Sequence, residues 1–305
     1  CSSGPNPTRW SVPAPIDMNA GDPLDQVTVV LVTYHSAYCL DALDALIAHC
    51  PHVVVSDNGS GDGTPAKARA RWPHAVVLEH GRNLGFGTAN NRALAQVKTP
   101  FAFLLNPDCE VTPDGLGALV RAAHDMPEAA ILAPQLEGAP GQPDVNYRWP
   151  NVLWKSSGPG ADAPACVGFV VGAAMLFRLE RFDGVGFFDE RFFLYYEDDD
   201  LCLRLFQARR PIVVWPAVAA VHRARGSVKG SKPWKSEYLR GYHHAQSKLI
   251  YTAKHRSVTQ ARSQRWRVLA GTTLVLPLRA IAWSPRLLAR MAGRWVGLLR
   301  WRHDA

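Results

Sequence analysis

Glu197, Asp198, Asp199 and Asp200 stand side by side in FFDERFFLYYEDDDLCLRLF, residues 187–206. Four adjacent carboxylates repel one another, so such a run calls for a cation or a substrate proton to manage it. A carboxylate crowded by like charges also holds its proton more tightly, as a base working near neutral pH must. Leu201, Leu203, Leu205 and Phe206, with Arg204 and Arg209 between them, have the apolar and cationic faces of a helix. The acids then occupy its first turn, where the helix dipole favours negative charge. In isolation an ordinary acidic N-cap would read the same way.

Three further groups look chemical. Asp57 opens DNGSGDGT (57–64) and can accept a hydrogen bond from the imide N–H of uracil or thymine, with Gly59 and Gly61 leaving room for a flat base. The same loop would serve a calcium ion equally well. Asn106-Pro107-Asp108 follows the apolar run FAFLL and presents one carboxylate suited to a hard divalent cation on a diphosphate. His222, after PAVAAV, is a candidate second metal ligand, although a lone His is more often structural.

These groups need a scaffold that gathers strand ends. VTVVLVT (27–33) is a β-branched run suited to a buried parallel strand. The pattern then predicts a helix over 41–50, a strand over 52–56, a helix over 65–71 and a strand over 75–78. A loop and helix over 82–97 and a strand over 101–105 follow. Beyond these, 134–164 reads as loop, 167–178 and 211–215 as strands. Strand–helix alternation with ligand-type residues at the strands' carboxyl ends predicts a doubly wound sheet binding its ligand in the crevice beyond those ends.

Six motifs in order, VTVVLVTYHS, SDNGSGDGT, GRNLGFGTANNRAL, FLLNPDCEVTPDGL, GFFDERFFLYYEDDDLCLRL and VHRARGS, make the chain resemble the inverting family 2 glycosyltransferases, especially the rhamnosyltransferase branch. The resemblance spans roughly residues 27–251. It implies the GT-A fold, a Rossmann-like, mainly parallel mixed sheet flanked by helices. It places Thr33, Tyr34, Asp57, Arg82, Asn83, Asn91, Asn106 and Asp108 around a nucleotide-sugar donor. Asp198 matches the catalytic base; Asp108 and His222 match the ligands of Mg2+ or Mn2+. Glu197, with Arg148 and Trp149 of YRWP, is assigned to the acceptor side. Asn106 replaces the first Asp of the family's D-x-D, a version that points to deoxythymidine-diphosphate-L-rhamnose (dTDP-L-rhamnose). The expected acceptor is a lipid-linked or polysaccharide precursor. Other readings are a transferase using a uridine-diphosphate hexose or galactofuranose, and a non-catalytic nucleotide-sugar or glycan-binding module.

Charge divides the chain. The net charge is +8, yet residues 238–303 hold thirteen Lys and Arg and no acid. Such a tail seeks an anionic partner. In 286–302, Leu287, Leu288, Met291, Trp295, Leu298 and Leu299 fall on one face and Arg286, Arg290 and Arg294 on the other, as in a helix lying on an anionic membrane. Trp266, Trp283, Trp295 and Trp301 could stack bases, but their spacing with leucines favours the membrane over nucleic acid. VLAGTTLVLPL (268–278) is about half a membrane span. The expected divisions are a disordered leader over 1–26, with Met18 a candidate start, a GT-A domain over 27–251 and a basic helical tail over 252–305. The six cysteines show no metal or disulfide spacing, which with the tail predicts a cytoplasmic protein at the inner face of the membrane. A 47% hydrophobic content excludes a disordered chain.

Overall fold

The computed structural model describes residues 21–145, 147–148, 160–223, 233–281 and 284–302. The strands are β1 (Val27–Thr33), β2 (His52–Asp57), β3 (Val76–Glu79), β4 (Phe101–Leu105), β5 (Cys109–Glu110), β6 (Ile131–Ala139), β7 (Gln142–Pro143), β8 (Ala165–Val167), β9 (Ala174–Arg178) and β10 (Ile212–His222). The helices are α1 (Asp44–Ile47), α2 (Thr64–Arg71), α3 (Phe86–Leu94), α4 (Pro113–Asp125), α5 (Glu197–Gln207), α6 (Pro233–His255), α7 (Val258–Ile281) and α8 (Pro285–Arg300).

One mixed sheet runs β3-β2-β1-β4-β9-β6-β10-β5. Its first four strands are parallel; β9 lies antiparallel to β4 and β6, and β10 runs parallel to β6. Alternate residues of a strand face opposite sides, so a strand buried on both faces supplies two cores. Val29 and Leu31 pack with Leu43 and Leu46 on one face, while Val30 packs with Ala93 and Leu201 on the other. The register pairs Thr33 with Asp57 and Leu31 with Leu105, which puts all three strand-end motifs on one edge.

Several elements depart from the sequence pattern for local reasons. Residues 134–164 are not all loop. β6 enters this stretch because Pro134, with no N–H to give, sits opposite Trp215 where the β10 pairing shifts register. The strand expected over 167–178 is two strands, β8 on β10 and β9 between β4 and β6, since the chain changes neighbours at Gly168 to Ala173. The strand expected over 211–215 continues to His222. Ahead of β1, Pro23–Gln26 form a 3-10 turn in which the Asp22 carboxylate accepts the Leu24 N–H, so this part of the expected leader is ordered. Residues 1–20 lie outside the described residues.

The last three helices pack on one another. Gly293 and Gly297 of α8 abut the Tyr238 and Tyr242 carbonyls of α6, and Gly241 of α6 abuts the Arg290 carbonyl. Leu298 and Trp301 are buried with Leu249, Ala261 and Leu269. Part of the α8 apolar face is therefore used inside the protein. What stays outside is Leu287 and Leu299, with Trp266 and Leu274 of α7 at 61% and 74% exposure. Arg265 donates to the Leu298 and Leu299 carbonyls, placing a cation at the negative end of α8. Among the described residues no helix is long and apolar enough to cross a membrane. α6 runs unbroken through Tyr251 and Thr252, so the tail and the sheet domain share a helix.

Candidate functional site

At the carboxyl edge of the parallel strands, register puts the Thr33 hydroxyl against Asp57, and it donates to Oδ1 at 2.9 Å. Asp57 Oδ2 accepts the backbone N–H groups of Gly59 (3.1 Å) and Ser60 (2.8 Å). With 2% exposure, Asp57 has spent about three of its roughly four lone-pair directions on Thr33 and its own loop, leaving one open. Gly59, at φ +79°, lies so close to the Arg82 backbone that a Cβ would meet it at 2.7 Å. Asn58 bridges the same two loops, donating to the Gly85 carbonyl and accepting from the Leu84 N–H. Asn83 accepts the Gly85 N–H, Arg82 is exposed, and Tyr34 is 36% exposed with its ring edge on His35. Asn91 is turned elsewhere: its amide donates to the Phe188 carbonyl and Glu190 and accepts the Phe188 N–H. It fastens α3 to the segment that leads to the acids.

Gly85 makes the second link to that segment. At φ +92° its position leaves no room for a Cβ, which would lie 2.4 Å from the Phe193 carbonyl, and the Phe86 N–H donates to that same oxygen at 3.0 Å. Tyr195 and Tyr196 then both adopt left-handed backbone, φ +70° and +67°, immediately before α5. Two consecutive non-glycine residues there cost about 1–2 kcal/mol each. That strain turns the chain sharply and delivers four carboxylates into the first turn of α5.

The four acids have four different surroundings. Asp200 is fully buried and meets Arg204 (2.8 Å), Lys254 (2.6 Å) and His255 (2.7 Å). Asp199 pairs with Arg148, whose guanidinium also lies 3.6 Å from the centre of the Phe169 ring. Glu197 is 6% exposed, and burial first, then the Asp198 charge, pushes its carboxyl well above the usual range. Asp198 is half-buried; its oxygens accept the Gly172 N–H (3.3 Å) and the Asp199 N–H (2.9 Å). Burial, reinforced by Asp199, outweighs those hydrogen bonds and raises Asp198 to about 6. Asp198 is therefore the acid of the four that is poised to exchange a proton near neutral pH.

Asp108, 6% exposed, ends its turn beside the last residue of β10, where His222 pairs with Cys109. His222 Nε2 lies 3.6 Å from Asp108 Oδ1, too long for a good hydrogen bond. Among the described residues no three His, Cys, Asp or Glu side chains converge on one point. One carboxylate and one imidazole suit a cation that takes its other ligands from a diphosphate and water, so this pair fits Mg2+ or Mn2+ bound with substrate. The two ends of the site meet at one backbone segment. The Asn106 N–H donates to the Ala173 carbonyl at 2.8 Å, and the neighbouring Gly172 N–H reaches Asp198.

Beside the acids opens a cavity of about 450 Å³ lined by Arg148, Tyr196, Asp198, Lys248, Tyr251 and Arg256, among others. The motifs gave no hint of α6 here. The only signal was charge, an acid-free basic segment following an acid-rich one. Trp149 and residues 224–227 of the VHRARGS segment lie outside the described residues. Of that segment, Arg223 is engaged with Glu110 at 2.9 Å.

Comparison with known proteins agrees with this architecture. The model of the family described as glycosyl transferase family 2 matches residues 28–179, ending before the acidic helix. The N-acetylglucosaminyl-diphospho-decaprenol L-rhamnosyltransferase of Mycobacterium tuberculosis is 31% identical over 92% of this chain and 99% of its own. A rhamnosyltransferase of Escherichia coli is 28% identical over 65% of this chain and 83% of its own. Among solved structures, the mannosyltransferase PcManGT of Pyrobaculum calidifontis, in complex with GDP-Man and Mn2+, superposes with a TM-score of 0.54 at 18% identity. That match covers 92% of this chain and 88% of the other, and it shows the GT-A-like fold.

Proposed function

The chain belongs to the family 2 glycosyltransferases, and from that premise we propose that it transfers L-rhamnose from dTDP-L-rhamnose to a lipid-linked glycan precursor with inversion. The observation that carries this reading is Asp198, a half-buried carboxylate raised to about 6 and lining a cavity of about 450 Å³. Asp198 takes the proton of an acceptor hydroxyl as that oxygen attacks the anomeric carbon; the bond from that carbon to the nucleoside diphosphate breaks, and the diphosphate leaves with its electron pair. A single displacement of this kind needs no carboxylate nucleophile. Thr33 and the 57–60 loop hold Asp57 for the base, and Asp108 with His222 would hold Mg2+ or Mn2+. Bound there, the cation supplies charge neutralisation for the departing diphosphate.

The choice of rhamnose rests on the two rhamnosyltransferase relatives and on Asn106 standing where a second carboxylate would. A lipid-linked acceptor is what the mycobacterial relative's name describes. Trp266, Leu274, Leu287 and Leu299 on a basic helical unit suit contact with the cytoplasmic face of an anionic membrane. Calorimetric titration of thymidine and uridine diphosphates, each with and without Mg2+, tests the reading on the wild type and on Asp108→Ala. Thymidine preference that depends on Mg2+ and weakens about 10–100-fold in the variant is expected. A preference for uridine overturns the donor, and no binding of either nucleotide overturns the transferase.

A further inference from the structure

The proposed reaction leaves most of the large cavity unused, and its charge is arranged in an order. At one end are the acids. Asp199 is neutralised by Arg148, and burial together with Asp198 favours the protonated form of Glu197, so Asp198 is the main negative charge there. On the α6 side stand Lys248 and Arg256, neither of them ion-paired among the described residues. Beside them a smaller cavity of about 110 Å³ shares His244, Lys248 and Gln264 with the first, so the two adjoin. Arg294 also lines this annex, and Ala245, Leu249, Val268 and Leu298 form its apolar wall.

The cationic middle is a strong local field. His244, between the two cavities, is pushed down to about 4 by burial and then by Arg294, Lys248 and Arg290. Lys248 and Arg256, without an ion-pair partner among the described residues, leave this part of the lining net positive, which suits an anion. The first cavity joins the Asp198 carboxylate to the cations Lys248 and Arg256, and the adjoining one joins Lys248 to an apolar wall. A sugar joined through a diphosphate to a long hydrocarbon has the complementary order: hydroxyl to deprotonate, anion, then chain.

We infer that the cavity between α5, α6 and α7 is the subsite for the acceptor's diphosphate, with Lys248 and Arg256 holding its oxygens, Arg294 behind them, and the hydrocarbon leaving along Val268 and Leu298. This rests on the transferase reading and goes beyond it by assigning a second anion site, separate from the donor's. The basic tail is then a substrate-reading element as well as a surface for a membrane. The shared chemistry is a diphosphate or phosphate anion, and its three sources are the acceptor, the donor and a lipid headgroup.

The test uses the full chain and geranyl diphosphate as probe, titrated calorimetrically with thymidine diphosphate and Mg2+ present to fill the donor site. Binding is expected, with geraniol silent. Lys248→Ala/Arg256→Ala is expected to weaken it at least about tenfold. Arg256→Ala alone, at an exposed position with no ion-pair partner among the described residues, should weaken it about threefold or more while melting like the wild type. Equal binding by the variants, or competition by the nucleotide, overturns the subsite. Partition onto phosphatidylglycerol vesicles should be unchanged in the double variant; a loss that parallels the loss of geranyl diphosphate makes these cations headgroup contacts and also overturns it. Failure of thymidine diphosphate to bind the wild type would instead strike the transferase reading, and the geranyl diphosphate titration remains readable without it.

Discussion

Replacing Asp198 by Asn should make the protein more stable while it destroys activity. Folding raises Asp198 from the ordinary 3.8 to about 6. At about 1.36 kcal/mol per pH unit, that displacement of roughly two units amounts to about 3 kcal/mol. The sign follows from where protons sit. Between the two values the folded state binds more protons than the unfolded chain, so stability falls as pH rises through this window. Above pH 6 the whole penalty is present, and below pH 4 it is gone. An amide at this position carries no charge, still accepts the Gly172 and Asp199 N–H groups through its oxygen, and removes the charge that also raises Glu197. Asp198→Asn should thus gain up to about 3 kcal/mol at pH 8, or roughly 6 °C in Tm for a chain of this size. The gain should vanish at pH 4. Sugar transfer should fall at least about 100-fold, the usual contribution of a positioned base. Thermal melts of both proteins at pH 4, 6 and 8, with a transfer assay at pH 8, decide the matter. A variant that melts lower than the wild type at pH 8, or gains equally at pH 4 and 8, refutes the reasoning.

Other perturbations probe how the site is held. Gly85→Ala forces a methyl against the Phe193 carbonyl at 2.4 Å in a left-handed backbone, so a loss of about 2–4 kcal/mol in urea titration is expected, and a neutral result contradicts the packing. Asp200→Asn leaves Arg204 and His255 facing no carboxylate, while Lys254 keeps Asp189; breaking such a buried network should cost about 3–5 kcal/mol by denaturant titration and loosen α6 in hydrogen exchange. Gly293→Leu cannot fit, since even a Cβ would sit 1.9 Å from the Tyr238 carbonyl; limited proteolysis should cut α8 in the variant while the sheet domain resists, and an uncut α8 argues against the α6–α8 contact.

Much of this protein is legible along the chain. The β-branched run 27–33 and FAFLL at 101–105 are legible as strands, because short continuous apolar runs before turn residues suit burial on both faces of a parallel sheet. Asp57, Asn106 and Asp108 fall at strand ends, so their meeting on one edge follows from parallel register alone. The acids' place in the first turn of a helix likewise follows from local pattern. Local sequence does not determine how four neighbouring carboxylates divide their roles. Asp200 is a structural anion because Lys254 and His255 arrive from more than fifty residues away, and Asp199 is neutralised by Arg148 from a different loop. Asp198 keeps its proton-exchanging character because burial outweighs the pull of Arg148, which is paired with Asp199. The apolar stripe of α8, alike on paper for membrane or protein, is in part spent inside the protein, where glycines let α6 come close. Composition and period are properties of a segment, whereas desolvation and pairing belong to whatever the fold brings against it.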